Sequence, residues 1–319
     1  MSKTVSIASI IAARSRITGH ICHTPLEKAL WLLNPPEVFL KLECFQITGS
    51  FKLRGAMSKL TALSEDEGAR GILTVSAGNH GLGVAHSARQ LGLQATVVVP
   101  ETASPAKVDA IRRYAVNLIE LGATYDESER ASRIMERESG LTFVSPYNDP
   151  EVIAGQGTVA LEILEDQPDV DAILVPVGGG GLLAGILIAA KALKPSIKVY
   201  GVEPAASPTM LKSLEAGQIV QIEEEPTIAD GLAGNIEPGS MTFPIIQRLI
   251  DGIILVDEDS IRRAMTDLAT HSHVIAEGAA AIAVAAATDP RLAGLSIVAV
   301  LTGRNVTLDL FLAAVGDRH

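Results

Sequence analysis

The chain has 319 residues, a length that predicts about two domains and a substantial core. Hydrophobic residues make up 47% of it and charged residues 20%, which excludes a disordered, collagen-like or coiled-coil protein. A net charge of −11 with 3% aromatic residues offers no attraction for phosphate backbones or anionic lipid and few stacking platforms, so neither nucleic acid nor membrane is expected as a partner.

From the N-terminus, MSKTVSIASIIAARSR breaks its apolar run at Arg14 and Arg16, too early for a signal peptide. Cys22 and Cys44 have no CxxC spacing, so neither a zinc cluster nor a disulfide framework is expected, and a reducing cytoplasm fits. Short β-branched runs then alternate with helical patterns. Strands are predicted at 72–76, 95–100, 172–177, 198–202 and 295–301, and helices at 81–91, 105–114, 126–138, 182–193, 258–271 and 277–287. This alternation predicts an α/β fold with buried parallel strands. The uncharged run 172–190 is long enough to be checked as a membrane span, but Pro176 and Gly178–Gly181 at its centre predict strand, tight turn and helix instead.

Three clusters carry chemistry. Gly178, Gly179, Gly180 and Gly181 follow a predicted strand and open a helix, so backbone N–H groups and the helix dipole converge without Cβ obstruction on a point suited to a phosphate. Gly179, Gly181 and Ala184, with Glu203 further on, also satisfy a loose dinucleotide fingerprint, so NAD stays open at this stage. In the second cluster, Gly49 to Ala56, Lys52 stands within the apolar helical pattern Phe51, Leu53, Ala56, Met57 and Leu60. A lysine near a buried face has a lowered pKa that suits Schiff-base chemistry, whereas an ordinary surface charge is the plainer reading. The third, Ser76-Ala77-Gly78-Asn79-His80-Gly81, ends a strand and starts a helix, an arrangement that suits a carboxylate, with His80 read as a base or as a packing residue.

Six segments in order then resemble the fold-type II pyridoxal-phosphate enzymes, and within them the serine/threonine dehydratases (threonine ammonia-lyases) and serine racemases: HTPL at 23–26, LKLECFQITGSFKLRGA at 40–56, SAGNHG at 76–81, VIAGQGTVALEIL at 152–164, GGGGLLAG at 178–185 and LTGRN at 301–305. The resemblance implies a tryptophan-synthase-beta-like α/β fold of two open parallel-sheet domains with the cofactor in the cleft between them. It puts a small inserted domain at 47–148 and a large one at 1–46 plus 149–319. It further implies that Lys52 carries pyridoxal 5'-phosphate as a Schiff base and takes the Cα proton, with Phe51 against the ring. Asn79 would meet the ring hydroxyl, Gly178, Gly179, Gly180, Gly181 and Leu182 the phosphate, and Thr302 the pyridine nitrogen. Ser76, Ala77, Asn79 and His80 would bind the substrate carboxylate. The implied reaction is β-elimination of water from an L-β-hydroxy amino acid, giving 2-oxobutanoate and ammonia from threonine, or pyruvate and ammonia from serine, in a homodimer whose C-terminal LDLFLAAV is one candidate contact.

Departures from the family pattern narrow this reading. Ala77 stands where serine racemases carry a serine, and a methyl group cannot move a proton, so negligible racemisation is expected. A divalent cation in serine racemase-like members uses two acidic positions. Glu203 matches the first, but the second is Thr209, which leaves a metal at Glu203 open. Many dehydratases read Ser-Gly-Gly-Asn where this chain reads Thr302-Gly303-Arg304-Asn305, so Arg304 is either a surface or subunit contact or a cation for an extra substrate carboxylate. The latter keeps L-threo-3-hydroxyaspartate or a hydroxyectoine-derived amino acid as alternative substrates. The end at His319 leaves no room for a C-terminal regulatory domain, so no isoleucine inhibition is expected. An NAD-dependent oxidoreductase gives Lys52 and Thr302 no task, and a non-catalytic binding protein loses the chemistry; both remain as remote alternatives.

Overall fold

The protein is described by a computed structural model over residues 4–32 and 37–316. Met1–Lys3 of the opening segment and the chain end at His319 lie outside the described residues. Two compact units emerge, one from Met1–Cys22 with Lys52–Gln156 and the other from His23–Phe51 with Gly157–His319. The expected insert at 47–148 differs from this division at both edges. The N-terminal helix Ile7–Ile17 belongs to the first unit, where Ile10, Ala13 and Ile17 bury one stripe and Arg16 Nη2 meets Glu151 Oε2 at 2.5 Å.

The first unit holds a four-stranded, wholly parallel sheet in the order Asn117–Glu120, Ala95–Val99, Ile72–Val75, Thr142–Phe143. Ile72–Val75 is buried along its whole length, as expected of a central parallel strand covered on both faces. The helix Lys52–Thr61 packs tightly on Asn79–Leu91. A Cβ at Gly83 would stand 3.2 Å from the Lys52 carbonyl carbon, so the small residue sets how closely the second helix approaches the start of the first.

The second unit holds six strands in the order Leu26–Lys28, Val38–Lys41, Ile297–Val300, Ala172–Pro176, Lys198–Pro204, Gly252–Val256; the first pair is antiparallel and every other pair parallel. The run 172–190 resolves into the buried strand Ala172–Pro176, a glycine turn and the helix Gly181–Leu193, and no described helix is long and apolar enough to cross a membrane. The alanine-rich helix Gly278–Ala285 is buried from Gly278 through Val284, which its composition of small side chains permits. The HTPL segment is architectural here. Thr24 Oγ1 donates to Glu43 Oε1 at 2.5 Å, and the fully buried Lys41 pairs with Glu162 at 2.8 Å and donates to Thr24 O at 2.7 Å, which satisfies a charge that burial would otherwise make costly.

Candidate active site

In the first unit the site is built where the strand Ile72–Val75 ends. Ser76 N–H donates to Val98 O, which continues the ladder, and Ser76 Oγ then accepts Gly78 N–H at 3.1 Å, turning the chain into the helix Asn79–Leu91. That helix begins at Gly78 with no side-chain cap. The first-turn N–H groups of a helix lack intrahelical acceptors, so a capless start exposes donors and positive dipole to an anion. A Cβ at Gly81 would fall 2.3 Å from Ser76 O, so the turn closes this tightly only with glycine there. Ser76, Ala77 and Asn79 are half-buried at this turn.

His80 turns its ring inward. The ring is 3% exposed, and Nε2 lies 3.1 Å from Val144 O. Burial first, and the nearby Lys52 charge second, push its pKa down to about 3, while the bond to Val144 pulls weakly the other way. The ring is therefore neutral at ordinary pH. With Nε2 carrying the proton toward Val144, Nδ1 is a buried acceptor with no hydrogen-bond partner among the described residues. What His80 presents at the turn is its backbone N–H; of its two sequence readings, the packing one matches where the side chain lies.

Val144 O also accepts from Thr74 Oγ1 at 2.9 Å, so two side chains fix one carbonyl. Two residues on, Pro146 O accepts from Lys52 Nζ at 2.9 Å. Lys52 is half-buried at the first position of its helix. Thr74, Val144 and Pro146 escape a reading of the sequence because two of the three act through main-chain oxygens, which any residue carries.

In the second unit Ala172–Pro176 and Val177 run buried to the glycines, of which Gly178 and Gly179 are half-exposed. Gly180 is the N-cap of Gly181–Leu193 at φ 85°, a left-handed conformation where a side chain is strained. A Cβ there would also stand 2.6 Å from Ile246 Cδ1. Gly179 O is fixed by Thr242 Oγ1 at 2.8 Å. No side chain caps this helix either, and Leu182 is buried just inside it. An uncapped helix start reached through four successive glycines, one of them, Gly180, in a conformation that strains a side chain, fits a phosphate group.

Thr302 is 3% exposed and directs Oγ1 to Ala279 O at 3.2 Å. Its loop pairs with the segment leading to Lys52. Phe51 N–H donates to Thr302 O at 3.0 Å, Arg304 N–H to Gly49 O at 2.9 Å, and Asn305 Nδ2 to Thr48 O at 2.8 Å. Gly49, at φ 77°, leaves no room for a Cβ beside Asn305 Oδ1. Ser50 Oγ, wholly buried in this pairing, has no hydrogen-bond partner among the described residues, a signal absent from the sequence.

Glu203, at the end of Lys198–Pro204, is 1% exposed, and its two oxygens accept from Met210 N–H at 2.7 Å and Leu211 N–H at 2.9 Å. Burial raises its pKa to about 7 against the pull of those two donors. The neighbouring Thr209 donates to Gly234 O, and no group of three or more His, Cys, Asp or Glu suited to a metal occurs among the described residues.

A family model described as pyridoxal-phosphate dependent enzyme matches residues 17–303. The catabolic L-threonine dehydratase TdcB of Staphylococcus aureus strain N315 is 42% identical over 312 residues, covering 95% of this chain and 90% of the relative. Among solved structures, maize serine racemase matches with a TM-score of 0.92 at 34% identity, covering 98% of this chain and 97% of that one. A pyridoxal 5'-phosphate-dependent aspartate racemase matches with a TM-score of 0.89 at 32% identity, covering 97% and 98%.

Proposed function

The chain belongs to the pyridoxal-phosphate dependent enzymes, and on that premise we propose that it is an ammonia-lyase acting on an L-β-hydroxy amino acid, threonine or serine. The observation that carries this reading is Lys52, a half-buried amine held 2.9 Å from the Pro146 carbonyl at the first position of its helix. Pyridoxal phosphate, when bound, supplies the electron sink that makes a Cα proton acidic. Gly178, Gly179, Gly180, Gly181 and Leu182 would hold its phosphate, Asn79 its ring hydroxyl and Thr302 its pyridine nitrogen, with Phe51 beside the ring. Lys52 would be the residue that holds the group covalently and the base that takes the Cα proton.

The substrate carboxylate is bound by the capless helix start, through Ser76, Asn79 and the N–H groups of Ala77 and His80. Thr302, a neutral hydroxyl, does not force a proton onto the ring nitrogen as a carboxylate would, which favours loss of the β-hydroxyl over reprotonation at Cα. The net reaction removes water across Cα–Cβ and ends in a 2-oxo acid and ammonia. We read the enzyme as cytoplasmic and homodimeric, the exposed Leu308, Leu310 and Leu312 of the helix Leu308–Gly316 supporting a contact between copies. A divalent cation is not part of this reading, because Thr209 stands where the resemblance asks for a second acidic ligand beside Glu203. Dicarboxylic β-hydroxy amino acids stay within the substrate class, since one similar solved structure is an aspartate racemase.

The test is a 2-oxo acid assay with L-threonine and L-serine on protein whose visible spectrum is recorded in parallel. A yellow wild type that releases 2-oxo acid, and a colourless, inactive Lys52→Ala variant, are expected. Undiminished turnover by Lys52→Ala would overturn the assignment.

A further inference from the structure

We propose that Thr242 is a positioning residue for the cofactor's phosphate: its hydroxyl locks the peptide that joins Gly179 to Gly180, so that this peptide keeps its N–H, and not its carbonyl, available to the anion. The inference rests on the reading that the glycine turn holds the phosphate of pyridoxal phosphate, and it adds the side chain that sets the turn's geometry. Every residue it uses lies in the second unit.

The need arises from the glycines themselves. A planar trans peptide carries its C=O and N–H on opposite edges, so a half-turn of one peptide exchanges a donor for an acceptor. Beside a phosphate the flipped carbonyl would set its partial negative charge against an anion. Cβ atoms ordinarily oppose one of the two orientations, but Gly179 and Gly180 have none. Gly180 stands at φ 85°, and glycine takes positive and negative φ about equally readily. The orientation therefore has to be set from outside the turn.

Thr242 is placed to set it. From the first position of the helix Thr242–Leu249, its Oγ1 donates to Gly179 O at 2.8 Å, which turns the Gly180 N–H of the same peptide away from Thr242. Thr242 is wholly buried, and Ser240, itself buried, brings its Oγ within 2.9 Å of Thr242 Oγ1. A carbonyl can only accept, so the Thr242 proton goes to Gly179 O and the Ser240 proton goes to Thr242 Oγ1. Ser240 Oγ in turn accepts the Thr242 N–H at 3.4 Å. The donors run one way, from Ser240 through Thr242 to Gly179 O, and turning either hydroxyl elsewhere would leave a buried polar group unpaired. The helix that carries the hydroxyl also packs on the peptide it fixes. A Cβ at Gly180 would stand 3.2 Å from Thr242 Cβ and 2.6 Å from Cδ1 of Ile246, one helical turn further on.

The test uses full-length protein freed of its cofactor with hydroxylamine, then titrated by visible absorbance with pyridoxal 5'-phosphate and with pyridoxal, which lacks the phosphate. The ratio of the pyridoxal Kd to the pyridoxal-phosphate Kd reads what the phosphate contributes. Thr242→Val keeps the shape and loses the hydroxyl, so it should lower this ratio on the order of tenfold, through the phosphate-bearing ligand alone. Thr242→Ser, which keeps the hydroxyl, should restore most of it. Should the valine variant not fold, Thr242→Ala against Thr242→Ser gives the same comparison, because the two differ by the oxygen alone. A ratio in Thr242→Val equal to that of wild type, whether both affinities hold or both fall alike, would overturn the role of Thr242 and leave the phosphate reading standing. A wild type that binds pyridoxal as tightly as pyridoxal phosphate would overturn the phosphate reading, and the role of Thr242 with it.

Discussion

Replacing His80 with glutamine removes a titrating ring from a place water does not reach, while an amide N–H remains to donate to Val144 O. In wild type, folding carries the His80 pKa from 6.5 down to about 3, and because burial is the larger cause, the direction survives when Lys52 loses its charge. The unfolded chain therefore binds a proton that the native state refuses. The associated stability is fully present above pH 6.5 and is lost as pH falls toward 3. Between about pH 7.5 and about pH 5 the loss comes to about 2 kcal/mol. Glu203 runs the opposite way. Its folded pKa is raised from 4.5 to about 7, so its contribution is fully present below pH 4.5 and is lost as pH rises through 7. Over the same interval it supplies about 2 kcal/mol on acidification, and the two groups nearly cancel. Relative to wild type, His80→Gln should gain about 2 kcal/mol on going to the acid end, and Glu203→Gln should lose about as much. Urea unfolding of the holoenzymes, followed by far-UV circular dichroism at both ends of the interval, reads these differences. A His80→Gln slope equal to that of wild type would show that the ring is not held neutral against Val144.

Gly81→Ala should lower stability by about 2 kcal/mol and raise the KM for amino-acid substrates, because its methyl would press on the Ser76 carbonyl from 2.3 Å; calorimetry with kinetics checks both. L-serine should yield no measurable D-serine, since Ala77 has no proton to give, while Ala77→Ser should introduce it; chiral chromatography of the reaction mixture decides, and D-serine from wild type would refute the point. Chelation by EDTA should leave Tm and turnover where they were, because Thr209 gives Glu203 no second carboxylate to share a cation with; a fall in Tm that added magnesium or calcium restores would contradict this.

Much of the architecture was legible because burial on both faces writes itself into composition. The runs at 72–76, 95–100, 172–177, 198–202 and 295–301 became Ile72–Val75, Ala95–Val99, Ala172–Pro176, Lys198–Pro204 and Ile297–Val300. Asn117–Glu120 was not read because no residue in it is fully buried, and Leu26–Lys28 is three residues long and has no buried position. Gly252–Val256 does carry an apolar pattern of strand length. The helix predicted over 258–271 stops at Asp267, where the chain widens into a π turn, Leu268–Ser272, before His273 at φ 56°; periodicity shows no such change of pitch.

The site divides along the same physical line. Glycine-rich turns announce themselves, since Gly180 at φ 85° and Gly81 against Ser76 O tolerate little else. Lys52 is different, because spacing alone shows a lysine in an apolar pattern and says nothing of the carbonyl it meets. Its amine meets Pro146 O, two residues beyond Val144 O, which Thr74 and His80 hold; in the other unit Asn305 reaches Thr48 across 257 positions. Main-chain acceptors and long-range pairings leave no mark on residue type. Arg304 joins both kinds of information: its identity was visible as a departure at a glycine position, but only the fold shows it stacked on Phe45 and fixed opposite Gly49.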